Sequence, residues 1–338
     1  MRINLRTSIL SLATVAIALP LLSTPTFAYA CDDRETEKLE TLIIKAILGN
    51  STGLVNMVIS NAIGRVTTPN GINQVNDAYT GLSAGDDMDT PWGSWATVSW
   101  TDMNNTLSST KFDGNMYNLV AGIDMTHEDI VLGAALSYEN SDIDTKFNDG
   151  KSENDGYMAT LYGAWIVNDK WVIDSFIGYG LSDNDVDNGT ATGSYDSTRR
   201  MYGINANYYH FIDKWSLNGT IGYLWAKEVS DSHTLSDATT VSSQDTHLGE
   251  ARLGGRVGYT ADQYEPFLSL AILHDNIATH EEASTGAQPA NDPNELEAVI
   301  GVNAYLEDDM EAGLEVSHGF FRDDVRNTTV LFNFRANF

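Results

Sequence analysis

The stretch WSLNGTIGYLW, Trp215 to Trp225, decides the fold. One face carries Trp215, Leu217, Gly219, Ile221, Tyr223 and Trp225, and the other carries Ser216, Asn218, Thr220, Gly222 and Leu224. A period of two is that of a β-strand. Its length matches the roughly 9–11 residues that a tilted strand needs to cross a bilayer. We therefore predict a strand with one face toward lipid and a tryptophan near each membrane interface.

The same period recurs along the chain after Pro91 and predicts twelve strands. They are residues 92–100, 115–127, 130–142, 154–167, 171–184, 197–211, 214–229, 246–260, 264–274, 295–306, 310–320 and 327–338. Tight polar turns, such as Asn168-Asp169-Lys170, alternate with longer acidic or Ser/Thr/Gly-rich loops, such as 143–153, 185–196, 230–245 and 275–294. Short turns at one end and long loops at the other are typical of outer-membrane barrels. We predict an all-β fold, a twelve-stranded antiparallel transmembrane β-barrel over residues 92–338 with both ends in the periplasm.

The charged residues within these strands fall on one face. In the strand around Ala251 to Tyr259, for example, Glu250, Arg252 and Arg256 share the face opposite Leu253. A basic residue at mid-bilayer on the lipid side costs about 2–4 kcal/mol, which gives the separation a physical cause. A soluble β-sandwich or a secreted β-helix is the alternative, but strand length and strand number favour the barrel. The predicted pore-lining residues are Asp124, Asp174, Glu250, Arg252, Arg256, Glu297, Glu311, Glu315 and Arg335.

The chain begins with features of a secretory signal over residues 1–30. Arg2 and Arg6 precede an apolar run, and small residues follow at Ala28-Tyr29-Ala30. This pattern predicts cleavage after export by the Sec translocon; a membrane anchor is the alternative. Cys31 would then lie at the new N-terminus, where a lipoprotein cysteine is a second interpretation.

Residues 31–64 are predicted to be helical and 65–91 to be a linker. The helical pattern from Glu35 to Ile63 is interrupted at Gly49-Asn50-Ser51, which indicates two short helices or one broken helix. The linker stretch is rich in Gly, Asn, Asp, Thr and Pro.

Composition and motifs exclude several functions. With 47 acidic and 19 basic residues, the chain is not expected to bind nucleic acid. The seven histidines show no H-E-x-x-H or similar metal-ligand spacing, so we expect neither an enzyme nor a metal site. The acidic stretches at 142–144 and 183–187 lack the features of an EF-hand and are interpreted as solvated loops. No cofactor is expected.

The final strand, Thr328 to Phe338, alternates aromatic and polar residues. Phe332, Phe334 and Phe338 would face lipid, while Asn333 and Arg335 would face inward. A terminal aromatic on such a strand resembles the signal recognised by the outer-membrane β-barrel assembly machinery. The other expected partners are outer-membrane lipid and lipopolysaccharide.

The barrel resembles the autotransporter β-domain family. The stretches that carry the resemblance include WGSWATVSW at 92–100, LYGAWIVNDKWVIDSFIGYGLSDND at 161–185, YGINANYYHFIDKWSLNGTIGYLWA at 202–226 and the terminal FNFRANF. The resemblance implies an outer-membrane translocator whose pore is threaded by a helix, and residues 35–63 are the candidate for that helix. The segment before Pro91 lacks β-helix repeats and any protease or esterase domain, so we expect little or no passenger. A passive diffusion porin and a surface adhesin acting through its loops are the alternatives.

Overall fold

The computed structural model describes residues 35–67, 92–108, 110–278, 293–307, 310–322 and 325–338. The predicted signal peptide, Cys31 and residues 68–91 of the predicted linker lie outside the described residues. Within this part of the chain, no helix is both long and apolar enough to span a membrane.

One helix precedes a series of strands. The helix α1 spans Glu35–Thr67. The strands are β1 (Trp92–Asn105), β2 (Phe112–His127), β3 (Ile130–Thr145), β4 (Gly150–Asn168), β5 (Trp171–Asp187), β6 (Thr192–Ile212), β7 (Trp215–Ser230), β8 (His233–Thr234), β9 (Thr240–Val241), β10 (Gln244–Tyr259), β11 (Tyr264–Ala278), β12 (Asn294–Glu307), β13 (Met310–Phe320) and β14 (Val325–Asn337).

Twelve of these strands close into an antiparallel barrel. Each barrel strand pairs with its neighbours in sequence, with β7 beside β10, and β1 pairs with β14 to complete the ring. The backbones of Trp92 and Phe338 also bond to each other, in both directions. The two short strands β8 and β9 form a separate hairpin. The predicted fold and strand number are therefore confirmed.

The outer surface has an apolar band bordered by aromatic residues. On β4 the outward residues run from Tyr157 through Leu161 to Trp165, all more than half exposed. This span is close to the roughly 9–11 residues that cross a bilayer. Aromatic pairs lie at both borders: Trp215 packs on Tyr259 near the short turns, and Tyr202 stacks on Trp225 nearer the loops, with ring centroids 4.9 and 5.2 Å apart. The faces predicted for the stretch from Trp215 to Trp225 agree with this arrangement.

The strands extend further toward the loop end than predicted. The predicted loops 143–153 and 185–196 are wrong at most of their positions, because β3, β4, β5 and β6 continue until only residues 146–149 and 188–191 remain as connections. The acidic stretches 142–144 and 183–187, both interpreted as solvated loops, are parts of β3 and β5. In the second stretch Asn184 and Val186 point inward while Asp183 and Asp185 are exposed. Beyond the bilayer both faces of a strand can be polar, so its alternation resembles a polar loop.

The predicted break in the helix at Gly49-Asn50-Ser51 is also wrong. The helix α1 continues through these residues without interruption. Polar side chains in this stretch hydrogen-bond to the helix backbone: Asn50 Nδ2 donates to the Ala46 carbonyl at 2.9 Å, and Thr52 Oγ1 donates to the Leu48 carbonyl. Surroundings that bury the helix outweigh the low helix propensity of Gly and Asn.

A buried ion pair bridges the seam where the barrel closes. The guanidinium of Arg335 on β14 contacts both carboxylate oxygens of Asp124 on β2, at 2.5 and 2.9 Å. These strands lie on either side of β1, so the pair passes over Gly93. A Cβ at Gly93 would lie 2.0 Å from an Arg335 nitrogen, which leaves room for no side chain larger than hydrogen. Tyr162 on β4 also donates to Asp124, at 2.9 Å.

The indole of Trp95 lies flat against the inner wall beside this pair. Its Nε1 donates to the Tyr162 hydroxyl at 2.7 Å, and its ring covers Gly122 on the neighbouring strand. A Cβ at Gly122 would lie 2.5 Å from the ring. The first hairpin, β4 and the closing strand are thus packed as one unit through close aromatic and ionic contacts.

This close approach predicts that Gly122→Val destabilises the barrel by about 1–3 kcal/mol, because the added side chain has no room beneath Trp95. The measurement is the temperature at which the detergent-solubilised protein changes mobility in semi-native gel electrophoresis. Gly219→Val is the matched control, since a Cβ at Gly219 meets nothing within 4 Å. Equal mobility transitions for the two variants would contradict the packing described for Trp95.

Candidate functional site

The helix α1 passes through the lumen of the barrel. Its backbone approaches β2 to β7 and β10, and its buried apolar residues lie along one side of the helix. Leu48, Ile59 and Ile63 are each no more than 3% exposed. Strands on several sides of the barrel thus contact this one helix, which places it inside the ring. The expectation of a helix inside the pore is confirmed.

The direction of α1 is fixed by the clusters at its two ends. Ile43 and Ile47 pack with Met103, Phe112 and Ile143, which lie toward the loop end of the barrel. Near its other end, Val58, Asn61 and Ala62 lie beside Trp95, toward the short turns. The N-terminal end of α1 therefore lies at the loop end of the barrel, and its C-terminal end lies at the turn end, where β1 begins.

A buried arginine holds the middle of the helix to the wall. Arg199 on β6 lies between Glu228 on β7, at 2.7 Å, and Glu139 on β3, at 3.1 Å. Its Nη1 also donates to Ser51 Oγ of α1, at 2.7 Å. The three charged side chains are each less than 10% exposed, so the two carboxylates neutralise a cation that would be costly to bury alone.

A second polar contact lies one to two turns further along α1. Asn205 on β6 places its Nδ2 3.0 Å from both Asn56 Oδ1 and Ser60 Oγ, and 2.8 Å from Asp174 Oδ1. Asn207 donates to the other oxygen of Asp174 at 2.6 Å. The carboxylate of Asp174 is thus surrounded by amide donors and is joined through Asn205 to the helix.

A third contact is made from the opposite wall. Asn61 Nδ2 of α1 donates to Glu315 Oε1 on β13, at 3.3 Å, and Asn333 on β14 contacts the same oxygen at 3.4 Å. The helix is therefore attached by short polar side chains to strands on both sides of the lumen. Such contacts restrain α1 without a single large interlocking surface.

The connection between β7 and β10 folds over the loop end of the lumen. Leu235 and Val241 of this segment are 3% and 1% exposed and pack with Ile44 of α1, Tyr195 and Val186. Ser236 exchanges backbone and side-chain hydrogen bonds with Thr192 at the start of β6. The segment therefore covers part of the mouth and contacts the helix, instead of projecting as a free loop.

His233 of the same connection stacks on Tyr195 with ring centroids 4.8 Å apart. Partial burial in this stack lowers the pKa of the imidazole, because desolvation disfavours its charged form.

All nine residues predicted to line the pore lie on the inner face of the wall, and several are brought together as ion pairs. Besides Arg335 with Asp124, Arg252 pairs with Glu297, and Arg256 Nη2 lies 3.2 Å from Glu265 Oε2. Arg256 also lies 4.0 Å above the ring of Phe267. Of the other predicted residues, Asp174 accepts from Asn205 and Asn207, and Glu315 accepts from Asn61 and Asn333.

Several inner charges were missed from the sequence: Glu139, Arg199, Glu228, Glu265, Asp275, Glu295 and Arg322. Arg199 and Arg200 are consecutive in a strand, so one of them must face inward. Extending the alternation back from Asn205 assigns Arg199 to the inner face. For Glu265 the signal was absent, because the faces of residues 264–274 could not be assigned.

We predict that Arg199→Met lowers stability by about 3–5 kcal/mol, because Glu139 and Glu228 would keep their burial and lose their common cation. The measurement is the midpoint of thermal loss of β-sheet circular dichroism in detergent. Arg200→Met is the matched control: Arg200 is exposed on the outer face, and its replacement is expected to change stability by less than about 1 kcal/mol. A midpoint for Arg199→Met equal to that of Arg200→Met would refute the described role.

A closed barrel with an apolar outer band and a helix through its lumen defines a class of protein, the outer-membrane translocator domains. The family model described as Autotransporter beta-domain matches residues 93–317. The chain belongs to the autotransporter β-domain family, and it is an autotransporter-like outer-membrane β-barrel.

Solved translocator domains share this architecture at low sequence identity. The translocator domain of autotransporter NalP from Neisseria meningitidis has a TM-score of 0.65 at 14% identity, over 84% of this chain and 98% of that one. The β-domain of the Bordetella autotransporter BrkA gives 0.62 at 15% identity, over 73% and 100%. The transport unit of AIDA-I from Escherichia coli gives 0.60 at 13%, over 76% and 93%. No curated protein sequence matches significantly.

Proposed function

We propose that this barrel is a translocator in which α1 is the membrane-spanning part of an exported segment and closes the pore to solutes as large as a disaccharide. The observation that carries the proposal is the path of α1, which runs from the loop end to the turn end and is bonded to both sides of the wall through Ser51, Ser60 and Asn61. With α1 in this position, the N-terminal end of the helix is at one face of the membrane, and the start of β1 is at the other.

The turns are assigned to the periplasm and the loops to the cell exterior. The turns at residues 128–129, 169–170 and 213–214 are short, as periplasmic turns of outer-membrane barrels are. Both barrel termini would then be periplasmic, and the residues before α1 would be extracellular. At the loop end the outer face carries ion pairs such as Lys151 with Asp142 at 3.0 Å, suited to the lipopolysaccharide headgroup region.

Export and insertion are assigned to general machinery. The Sec translocon would deliver the chain, and the β-barrel assembly machinery would insert it. The outward row on β14 supplies the assembly signal in this proposal: Phe332 and Phe338 are at least half exposed, and Phe334 is partly exposed in the same row. Residues facing inward, including Asp174 and Glu315, would line the passage and contact whatever occupies it.

The two alternative functions are not favoured. A passive diffusion porin needs an open lumen, and here a helix occupies it. An adhesin acting through long loops has less support than the sequence indicated, because the segment 231–243 packs down on the mouth and two other predicted loops are mostly strand. We also propose that the barrel has no catalytic role of its own.

We predict that deleting residues 35–67 opens the pore. In proteoliposomes, the full chain should exclude a disaccharide, whereas the deletion variant should admit it, because the space that α1 fills becomes continuous water. Liposome swelling measures the uptake. The control is the heat-dependent mobility of the deletion variant, which must show a closed barrel. Disaccharide entry through the full chain at the rate of the deletion variant would refute the plug.

A further inference from the structure

Two cavities lie beside α1, the first lined mainly by β6, β7 and β10 to β13, and the second mainly by β10 to β14. The first, about 180 Å³, is near the turn end and is lined by Asn56, Ser60 and Asn61 of the helix. The second, about 150 Å³, is near the loop end and is lined by Gly49, Asn50 and Gly53. At about 30 Å³ per water molecule, each has room for several waters.

The cavities are arranged end to end. Both are lined by Met57 of the helix and by Arg252 of β10. One reaches Lys214 and Trp215 at the turn end, and the other reaches Asn105 and Val325 at the loop end. Together they follow the whole length of the lumen, and the ion pair of Arg252 with Glu297 stands where they meet.

This space stays open because residues of α1 that face it have small side chains or none. A Cβ built on Gly49 or on Gly53 meets nothing within 4 Å. The bulky residues Leu48, Val55 and Ile59 are instead part of the apolar cluster against the wall. Two glycines in a helix interior cost about 1 kcal/mol each relative to alanine, so the open groove is retained at the expense of helix propensity.

The loop-end cavity carries more negative than positive charge. Its acidic lining residues are Glu250, Asp275, Glu295 and Glu297, and its basic ones are Arg252 and Arg322. Arg322 forms ion pairs with Asp275 Oδ2 and Glu295 Oε2, both at 3.1 Å, and Arg252 forms one with Glu297. Glu250 forms no ion pair with any described residue, and the six groups together hold two surplus negative charges when all are ionised.

One carboxylate oxygen in this cavity has no partner. The side chain of Asp275 is 3% exposed, and while its Oδ2 bonds to Arg322, its Oδ1 is buried without a hydrogen-bond partner among the described residues. A buried, unsatisfied acceptor costs about 1–3 kcal/mol unless a ligand or water completes it. On β10 and β11, Glu250 lies directly opposite Asp275 in the register, so the two carboxylates share one site.

We propose that the groove beside α1 is a permeation path for small monovalent cations, with Glu250 and Asp275 as its binding site and the Arg252–Glu297 pair as its constriction. Surplus carboxylates between low-dielectric walls attract cations and exclude anions. The path is too narrow for a disaccharide. This inference rests on the proposed function in one respect: the helix α1 must remain in the lumen.

The test is the reversal potential of the purified full chain in planar bilayers under a KCl gradient. The intact protein should pass a small current that favours K⁺ over Cl⁻. Glu250→Gln keeps the side-chain shape and removes one carboxyl group, and at alkaline pH, where a buried carboxyl is ionised, it should lower the ratio of K⁺ to Cl⁻ permeability several-fold. Asp183→Asn is the matched control, since it removes one carboxylate from the outer face and should leave the ratio unchanged.

A second variant tests the position of the path. Gly53→Leu adds a side chain that points into the open groove and favours helix, so it should reduce the current severalfold without loss of barrel stability. An unchanged permeability ratio in Glu250→Gln, or an unchanged current in Gly53→Leu, would overturn the inference. A silent intact protein would overturn it as well, and would leave the plug intact if the disaccharide is still excluded.

Discussion

The pairing of β1 with β14 is the constraint on which the rest of the structure depends. In hydrocarbon an unpaired backbone group costs several kcal/mol, so a sheet that spans a membrane must close on itself. Here the pairing runs from Gly93 with Asn337 to Asn105 with Val325. Closure is reinforced from inside by Arg335 and Asp124, whose ion pair reaches across β1. That contact is available only because residue 93 has no side chain.

A closed ring of twelve strands has an interior that wall side chains alone do not fill, and α1 occupies much of the remaining space. Apolar residues of α1 cover part of the wall, while Arg199, Asn205 and Glu315 provide polar attachment on several sides. Arg199 has two counter-charges, and Asp174 and Glu315 each accept from two amide groups, which limits the cost of burying these three charges beside the helix. The result is a lumen that is occupied but polar, as the proposed translocator role requires.

The barrel could be predicted from the sequence because the membrane imposes a strong and local rule on which residues face outward. Alternation between lipid and lumen is visible in each strand, as in the stretch from Trp215 to Trp225, and the short turns mark where strands reverse. Outside the bilayer the rule no longer holds, and residues 183–187 could not be distinguished from a loop. The continuity of α1 through Gly49 depends on burial by distant strands, which no local pattern contains.

The sequence predicted which side chains face the lumen, but it did not predict which of them contact one another. Alternation assigned Asp124, Arg252 and Arg335 inward, but it does not report that Arg335 lies beside Asp124 or that Arg252 meets Glu297. Those distances depend on the register around the whole ring. Arg199, with Glu139 and Glu228, was missed for a simpler reason: its strand was recognised, and its faces were not assigned.

The most direct measurement is a disulfide between the helix and the wall. Ser60→Cys and Asn205→Cys would be combined in a chain whose Cys31 is replaced by serine, since Ser60 Oγ and Asn205 Nδ2 lie 3.0 Å apart. Oxidation in isolated outer membranes should join the two cysteines, as seen by mass spectrometry. Ser60→Cys with Ser175→Cys, whose second thiol would be on the outer face, should not be joined. Absence of the first disulfide, with both thiols reactive toward a maleimide, would contradict a helix held in the lumen.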